Sequence, residues 1–109
     1  MFSKGDYMKA AVLVADKTIV IKDVPILEPK ENECTVKIKY AGVCSSDIFR
    51  GYGNGAYGYP LIMGHELAGE IVSIGYNVKG IIIGDKVTIF PLKPCFSCIS
   101  CNKKNICNV

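Results

Sequence analysis

A mainly β domain, a small barrel or sandwich, is what this sequence predicts. Three observations point there: at least five strand-like segments at even spacing, only one short helix-like segment, and Gly- or Pro-bearing turns between them. The chain has 109 residues, 50% of them hydrophobic and 21% charged. That is too apolar for disorder, and the length suits one domain, 1–109, burying about two-thirds of its surface on folding.

Lys9 to Val14 and Thr18 to Val24 are rich in Val and Ile, and Ala15-Asp16-Lys17 has turn character, so the pair reads as a β-hairpin. Residues 1–7 read as a leader ahead of it. After Pro25 and Pro29, Thr35 to Tyr40 alternates with period two, which predicts a half-buried strand with Val36, Ile38 and Tyr40 on one face. A bend at Gly42 leads to a short helix from Ser46, as N-cap, to Gly51 as its stop. Gly51 to Pro60, with its glycines and tyrosines, reads as an irregular loop. Tyr52, Tyr57 and Tyr59 either wall a cleft there or pack the loop. Leu67 to Ile74 carries apolar residues on both faces, as a strand buried on both sides does, and Gly75-Tyr76-Asn77 ends it. A turn at Gly84-Asp85-Lys86 opens a last strand, Val87 to Phe90. Cys34 and Met63 read as small-scale core packing.

The formal net charge of +3 is scattered singly, which excludes a nucleic-acid footprint. No apolar run nears the ~18 to 20 residues that span a bilayer, so no membrane partner is expected. The opening residues lack a signal-peptide pattern, and reduced thiols in a cytoplasmic protein follow.

Four of the six cysteines, Cys95, Cys98, Cys101 and Cys107, form C-x2-C-x2-C-x5-C near the end. Four thiolates at about 2.3 Å suit a structural zinc, and ligands two apart can wrap one ion through tight turns. Lys93, Lys103 and Lys104 flank the cluster, either offsetting its negative charge or simply solvated.

His65 is the only histidine, and a lone histidine is more often a satisfied packing residue than a ligand. Its neighbours alter the reading. In Gly64-His65-Glu66, both side chains reach one ion only if the backbone turns sharply, which Gly64 permits. Cys44, at a strand-to-helix bend, would add a thiolate; Cys, His and carboxylate leave zinc an open position. Asp47 either accepts the other ring N–H of His65 or is an ordinary first-turn acid.

These residues resemble the zinc-dependent medium-chain alcohol dehydrogenases. Gly42-Val43-Cys44-Ser45-Ser46-Asp47 resembles the family's G-[VIL]-C-x-[ST]-D segment. Gly64-His65-Glu66-Leu67-Ala68-Gly69, with Gly75 and Val78, resembles its zinc signature. Gly84-Asp85-Lys86-Val87 resembles its G-D-[RK]-V turn, and residues 91–109 its structural zinc lobe. The resemblance implies a GroES-like barrel with catalytic zinc on Cys44 and His65, Glu66 as ligand or as a partner just behind the metal, and Ser46 as proton relay. It implies alcohol oxidation by hydride transfer to NAD or NADP, with zinc as Lewis acid. Asn54 to Pro60 and Phe90 to Cys98 are most similar to the sorbitol and galactitol-phosphate type polyol dehydrogenases, so a sugar alcohol is the implied substrate.

Two departures stand out. Five residues separate Cys101 from Cys107 where the family usually has seven, and no G-x-G-x-x-G stands in a strand-to-helix context, so the nucleotide-binding domain is missing from this sequence. The expectation is therefore the catalytic portion of a dehydrogenase, inactive alone. The alternatives are a standalone zinc-binding or interaction module, and a quinone-reductase-like relative, which Cys44, His65 and Glu66 disfavour. Apolar surface left bare where a cofactor domain would dock predicts homo-oligomers of the isolated chain.

Overall fold

A computed structural model describes residues 5–53 and 55–103. Met1 to Lys4 of the suggested leader, Lys104 and Cys107 lie outside the described residues.

The hairpin forms as its composition predicts. Strand β1 (Tyr7–Ala15) pairs antiparallel with β2 (Thr18–Pro25), from Tyr7↔Pro25 to Ala15↔Thr18. Lys17 takes a left-handed φ of 55° in the turn, and its N–H donates to the carbonyl of Gly51 at 3.0 Å. That bond satisfies an orphan carbonyl near a helix end and ties the hairpin to helix α1 (Ser45–Tyr52).

A second sheet has the order β3 (Cys34–Gly42), β4 (Glu66–Ile74), β5 (Lys86–Thr88), all antiparallel. An isolated bridge ties β1 to the segment that precedes β4, where Leu13 and Leu61 exchange backbone hydrogen bonds of 2.8 and 2.9 Å. The bridge anchors the segment that runs into Gly64 and His65. The buried apolar side chains among the described residues are Val12 and Leu13 in β1 and Ile71 in β4.

Several expectations need correction. Helix α1 is capped by Cys44 and not by Ser46, and it runs past Gly51 to a C-cap at Gly53. The Asp47 carboxylate accepts the Cys44 N–H at 3.0 Å, so the acid at the third helical position sets the start. A second helix, α2 (Ile99–Asn102), forms in the cysteine lobe, where three closely spaced cysteines masked any helical periodicity. In β3 the register shifts between Thr35 and Val36 and again between Ile38 and Tyr40. Strict alternation is lost, and Tyr40 is 78% exposed where a half-buried face was expected. In β4 only Gly69 and Ile71 are fully buried, because one face is not covered by another element. The final strand is three residues long, with Ile89 adding one more bond to Leu67.

The accessible surface is 8508 Å². A globular monomer of this mass exposes about 5,900 Å², and the extended chain about 17,000 Å², so only about half of the surface is buried, not two-thirds.

Candidate functional site

Three segments converge on one cleft: the β3-to-α1 bend, the loop after Tyr52, and the turn into β4. Cys44 arrives on the bend, just before the first turn of α1. His65 arrives through Gly64, whose φ of 132° is a conformation that L side chains rarely adopt. That turn lets His65 and Glu66, neighbours in sequence, face the same point. Donor atoms of Cys44, His65 and Glu66 all lie within 4.8 Å of one another.

Glu66 opens β4 opposite Gly42, its register partner in β3. A Cβ at Gly42 would sit 2.5 Å from Glu66 Oε2 and 2.9 Å from Glu66 Cβ. Only glycine leaves room for this carboxylate to lie across β3 toward Cys44.

Asp47 is the one buried charged residue among those described, at 7% exposure. Its Oδ2 takes the Cys44 N–H, and its Oδ1 lies 3.4 Å from His65 Nδ1 with no hydrogen bond of good geometry. The other ring nitrogen, His65 Nε2, lies 3.5 Å from Ser46 Oγ, on the side of Cys44. Asp47 thus faces one edge of the imidazole and leaves the other for a ligand.

The electrostatics suit a cation. The Cys44 thiol is lowered from 9.0 to about 7, first by the Ser46 backbone N–H and then by side chains of Ser46, His65 and Ser45. His65 is raised, chiefly by its hydrogen bond with Cys44, with the Asp47 charge adding to it against the effect of burial. A thiolate beside an imidazole and two carboxylates is a donor set that suits zinc, with room for a fourth ligand.

The cysteine lobe passes the same test. Cys95 Sγ and Cys101 Sγ are 3.9 Å apart, close to the ~3.8 Å edge of a tetrahedron with 2.3 Å zinc–sulfur bonds. Backbone N–H groups of Cys98 and Cys101 donate to Cys95 Sγ and Cys98 Sγ, each at 3.4 Å. Phe96 takes a left-handed φ of 59° to make the first turn. Cys95 is lowered to about 5, first by the Ser97 hydroxyl and then by backbone N–H groups. Donor atoms of Cys95, Cys98 and Cys101 lie within 4.8 Å of one another, and no disulfide joins the described cysteines. Lys93 turns from the lobe, with Nζ 3.8 Å from Glu33 and 91% of the side chain exposed.

The cleft beside His65 encloses about 370 Å³ and is lined by Ser46, Asp47, Arg50, Tyr57, Leu61 to His65, Pro91 and Leu92. Tyr57 walls this cleft, which decides between the two readings of that tyrosine; Tyr52 and Tyr59 are not part of its lining. Sequence reading did not single out Arg50. The signal was present: Ser46 and Arg50 are four apart on a helix and so share a face. Cys34, at the first residue of β3, is half-buried and belongs to neither group of donors, and Met63 packs its Cε 3.5 Å from where a Gly51 Cβ would be.

Residues 30–109 match the alcohol dehydrogenase GroES-like domain family. The chain is 40% identical over 97 residues to the galactitol 1-phosphate 5-dehydrogenase of Escherichia coli, covering 88% of this chain and 28% of the relative. To the sorbitol dehydrogenase of Bombyx mori it is 37% identical over 105 residues, 90% of this chain and 30% of that one. It thus spans less than a third of the length of these curated relatives. The crystal structure of the E. coli galactitol-1-phosphate dehydrogenase superposes with a TM-score of 0.83 at 40% identity, over the same 88% and 28% of the two chains. A cobalt- and zinc-bound thermostable alcohol dehydrogenase from Pyrobaculum aerophilum superposes with a TM-score of 0.84 at 28% identity, over 95% of this chain and 33% of that one. With the signature residues present and the fold superposing on these structures, the chain belongs to the alcohol dehydrogenase GroES-like domain family, among the zinc-dependent medium-chain alcohol dehydrogenases and alongside their polyol-oxidising members.

Proposed function

We propose that this chain is the zinc-binding, substrate-facing part of an NAD(P)-dependent polyol dehydrogenase. The observation that carries the reading is the meeting of Cys44, His65 and Glu66 donors beside the 370 Å³ cleft that His65 lines. Cys44 and His65 would hold a catalytic zinc, with Glu66 either completing the set or lying just behind it. Cys95, Cys98 and Cys101 would hold a structural one, with Cys107 as the fourth thiolate. When bound, the catalytic zinc supplies Lewis acidity toward an alcohol oxygen, which favours hydride departure to a nicotinamide.

The remaining work falls to the chain's own side chains. Asp47, fixed by the Cys44 N–H, orients the His65 ring through Nδ1. Ser46 Oγ, between His65 Nε2 and Arg50 Nη1, is placed to accept the proton that the substrate hydroxyl loses and to pass it outward. Leu61, Ile62, Met63 and Leu92 line the apolar side of the cleft, where they would displace water from the reacting carbon.

Native mass spectrometry of the reduced chain tests the metal assignments. About two zinc ions per chain are expected, falling to one in Cys44→Ser and in His65→Ala, and to one in Cys98→Ser. A wild-type chain that holds a single ion, unaffected by His65→Ala, would remove the catalytic-site assignment and leave only a structural lobe.

A further inference from the structure

The cleft is electrically asymmetric, and its cation serves the alcohol chemistry just described only by holding Ser46 Oγ. At one end stands His65, with the donor atoms of Cys44 and Glu66 within 4.8 Å of its own. At the other stands Arg50, whose guanidinium is two hydrogen-bond lengths from His65 Nε2 by way of Ser46 Oγ. We infer that Arg50, with Tyr57, forms an anion-binding subsite, and that the substrate is a polyol bearing a phosphate ester or carboxylate and not a neutral sugar alcohol.

Donor accounting supports this. A guanidinium carries five N–H donors. Nη1 donates to Ser46 Oγ at 3.3 Å and Nη2 to Tyr57 Oη at 3.4 Å, both long, and the described residues offer the other three no hydrogen-bond partner. The Tyr57 ring lies under the guanidinium, 5.3 Å from its centroid to the central carbon, which steers the planar fork without neutralising it. The Arg50 side chain is 26% exposed, sheltered but open to the cleft.

Asp47 pairs with this charge only at long range and without a hydrogen bond. Its Oδ1 is 3.9 Å from Arg50 Nη1, farther than from His65 Nδ1 at 3.4 Å, and its other oxygen is committed to the Cys44 N–H. Both side chains line the cleft, Asp47 at 8% exposure and Arg50 at 26%. A charged polyol is therefore held in one orientation, anionic group on Arg50 and reacting hydroxyl toward Ser46 and His65.

The inference rests on the proposed zinc-dependent reading of the cleft, and one experiment separates the two. Zinc stoichiometry of the 109-residue chain is measured first, and ¹⁵N-labelled protein is then titrated with sorbitol, sorbitol 6-phosphate and gluconate. Wild type is expected to bind an anionic probe at least about tenfold more tightly than sorbitol, the difference that a charge-assisted fork supplies. Shifts should centre on Ser46, Arg50 and Tyr57, weaken with salt, and rank the phosphate against the carboxylate. Arg50→Met should erase the preference while keeping two zinc ions, and Arg50→Lys should keep part of it. Equal binding of charged and neutral probes, a preference that survives Arg50→Met, or shifts confined to the lobe lysines would overturn the subsite with the metal assignment intact. A chain holding fewer than two zinc ions would overturn both. Should Arg50→Met lose metal by misfolding, Arg50→Gln, which keeps a polar planar head, decides by the same ratio.

Discussion

A methyl group added at position 42 would collide with Glu66 and with little else. Gly42→Ala is therefore expected to swing the Glu66 carboxylate away, since both its Oε2 and its Cβ lie inside contact distance. The overpacking should cost about 1 to 3 kcal/mol in urea unfolding. Zinc bound at Cys44 and His65 should become easier to strip with chelator, while the cysteine lobe keeps its ion. Equal chelator resistance at both sites would place Glu66 outside the metal's reach. The thiols set a pH dependence for the metal-free chain. Cys95 and Cys44 have folded values near 5 and 7 against an ordinary 9.0, so their stabilisation is full above pH 9 and is lost as pH falls through those values. His65 works in the opposite sense: raised above 6.5, it stabilises below that pH and ceases to as pH rises through its folded value. Urea midpoints should climb from pH 5 to 9 with a flatter step just above 6.5, and Cys95→Ser should remove the rise below that step. At this scale the lobe cysteines stood out by their spacing, and Cys44, His65 and Glu66 by their neighbours and the family signatures those form. Arg50 was not, because its importance comes from what Ser46 and Tyr57 surround it with.

Helix α1 depends on one capping interaction. Asp47→Ala should cost about 0.5 to 2 kcal/mol by releasing the Cys44 N–H, while Asp47→Asn, which keeps an acceptor, should cost much less. Circular dichroism during urea unfolding distinguishes the pair, and equal losses would assign the cost to charge and not to the cap. In the hairpin, Lys9 Nζ and Asp23 Oδ1 are 2.7 Å apart, but their side chains are 73% and 60% exposed. Asp23→Asn should shift stability by less than about 1 kcal/mol. The hairpin was readable because its turn and its Val/Ile content agree. The face of β3 was not, because a bulge adds a residue that no local pattern announces: after Ile38 the alternation no longer says which side faces in. The same limit moved the start of α1, where Ser46 looked like a cap by type and Cys44 serves by position.

The excess surface belongs to the molecule as a whole. About 2,600 Å² more is exposed than a monomer of this mass presents, and a standard protein interface buries about 1,600 Å² in total. The radius of gyration, 15.8 Å, likewise exceeds the ~13 Å of a compact chain of this length. Exposed apolar side chains include Ile21, Leu27, Ile82 and Phe90, each at least 66% accessible. Sedimentation equilibrium is expected to give an apparent mass that rises above 11.8 kDa with concentration. A constant monomer mass to the limit of solubility would show that this surface is tolerated in water.

By itself the sequence determined the β-rich class, the hairpin, the spacing of the lobe cysteines and the family signatures, because each is written in short-range terms: residue type, period and fixed spacing. Tertiary structure decided the rest. It set Gly42 under Glu66, turned Asp47 toward His65, closed Arg50 and Tyr57 over a shared cleft, and left half of the surface in water. Those outcomes depend on segments distant in sequence meeting at defined distances, and packing, unlike period or spacing, is a property of pairs that no single segment carries.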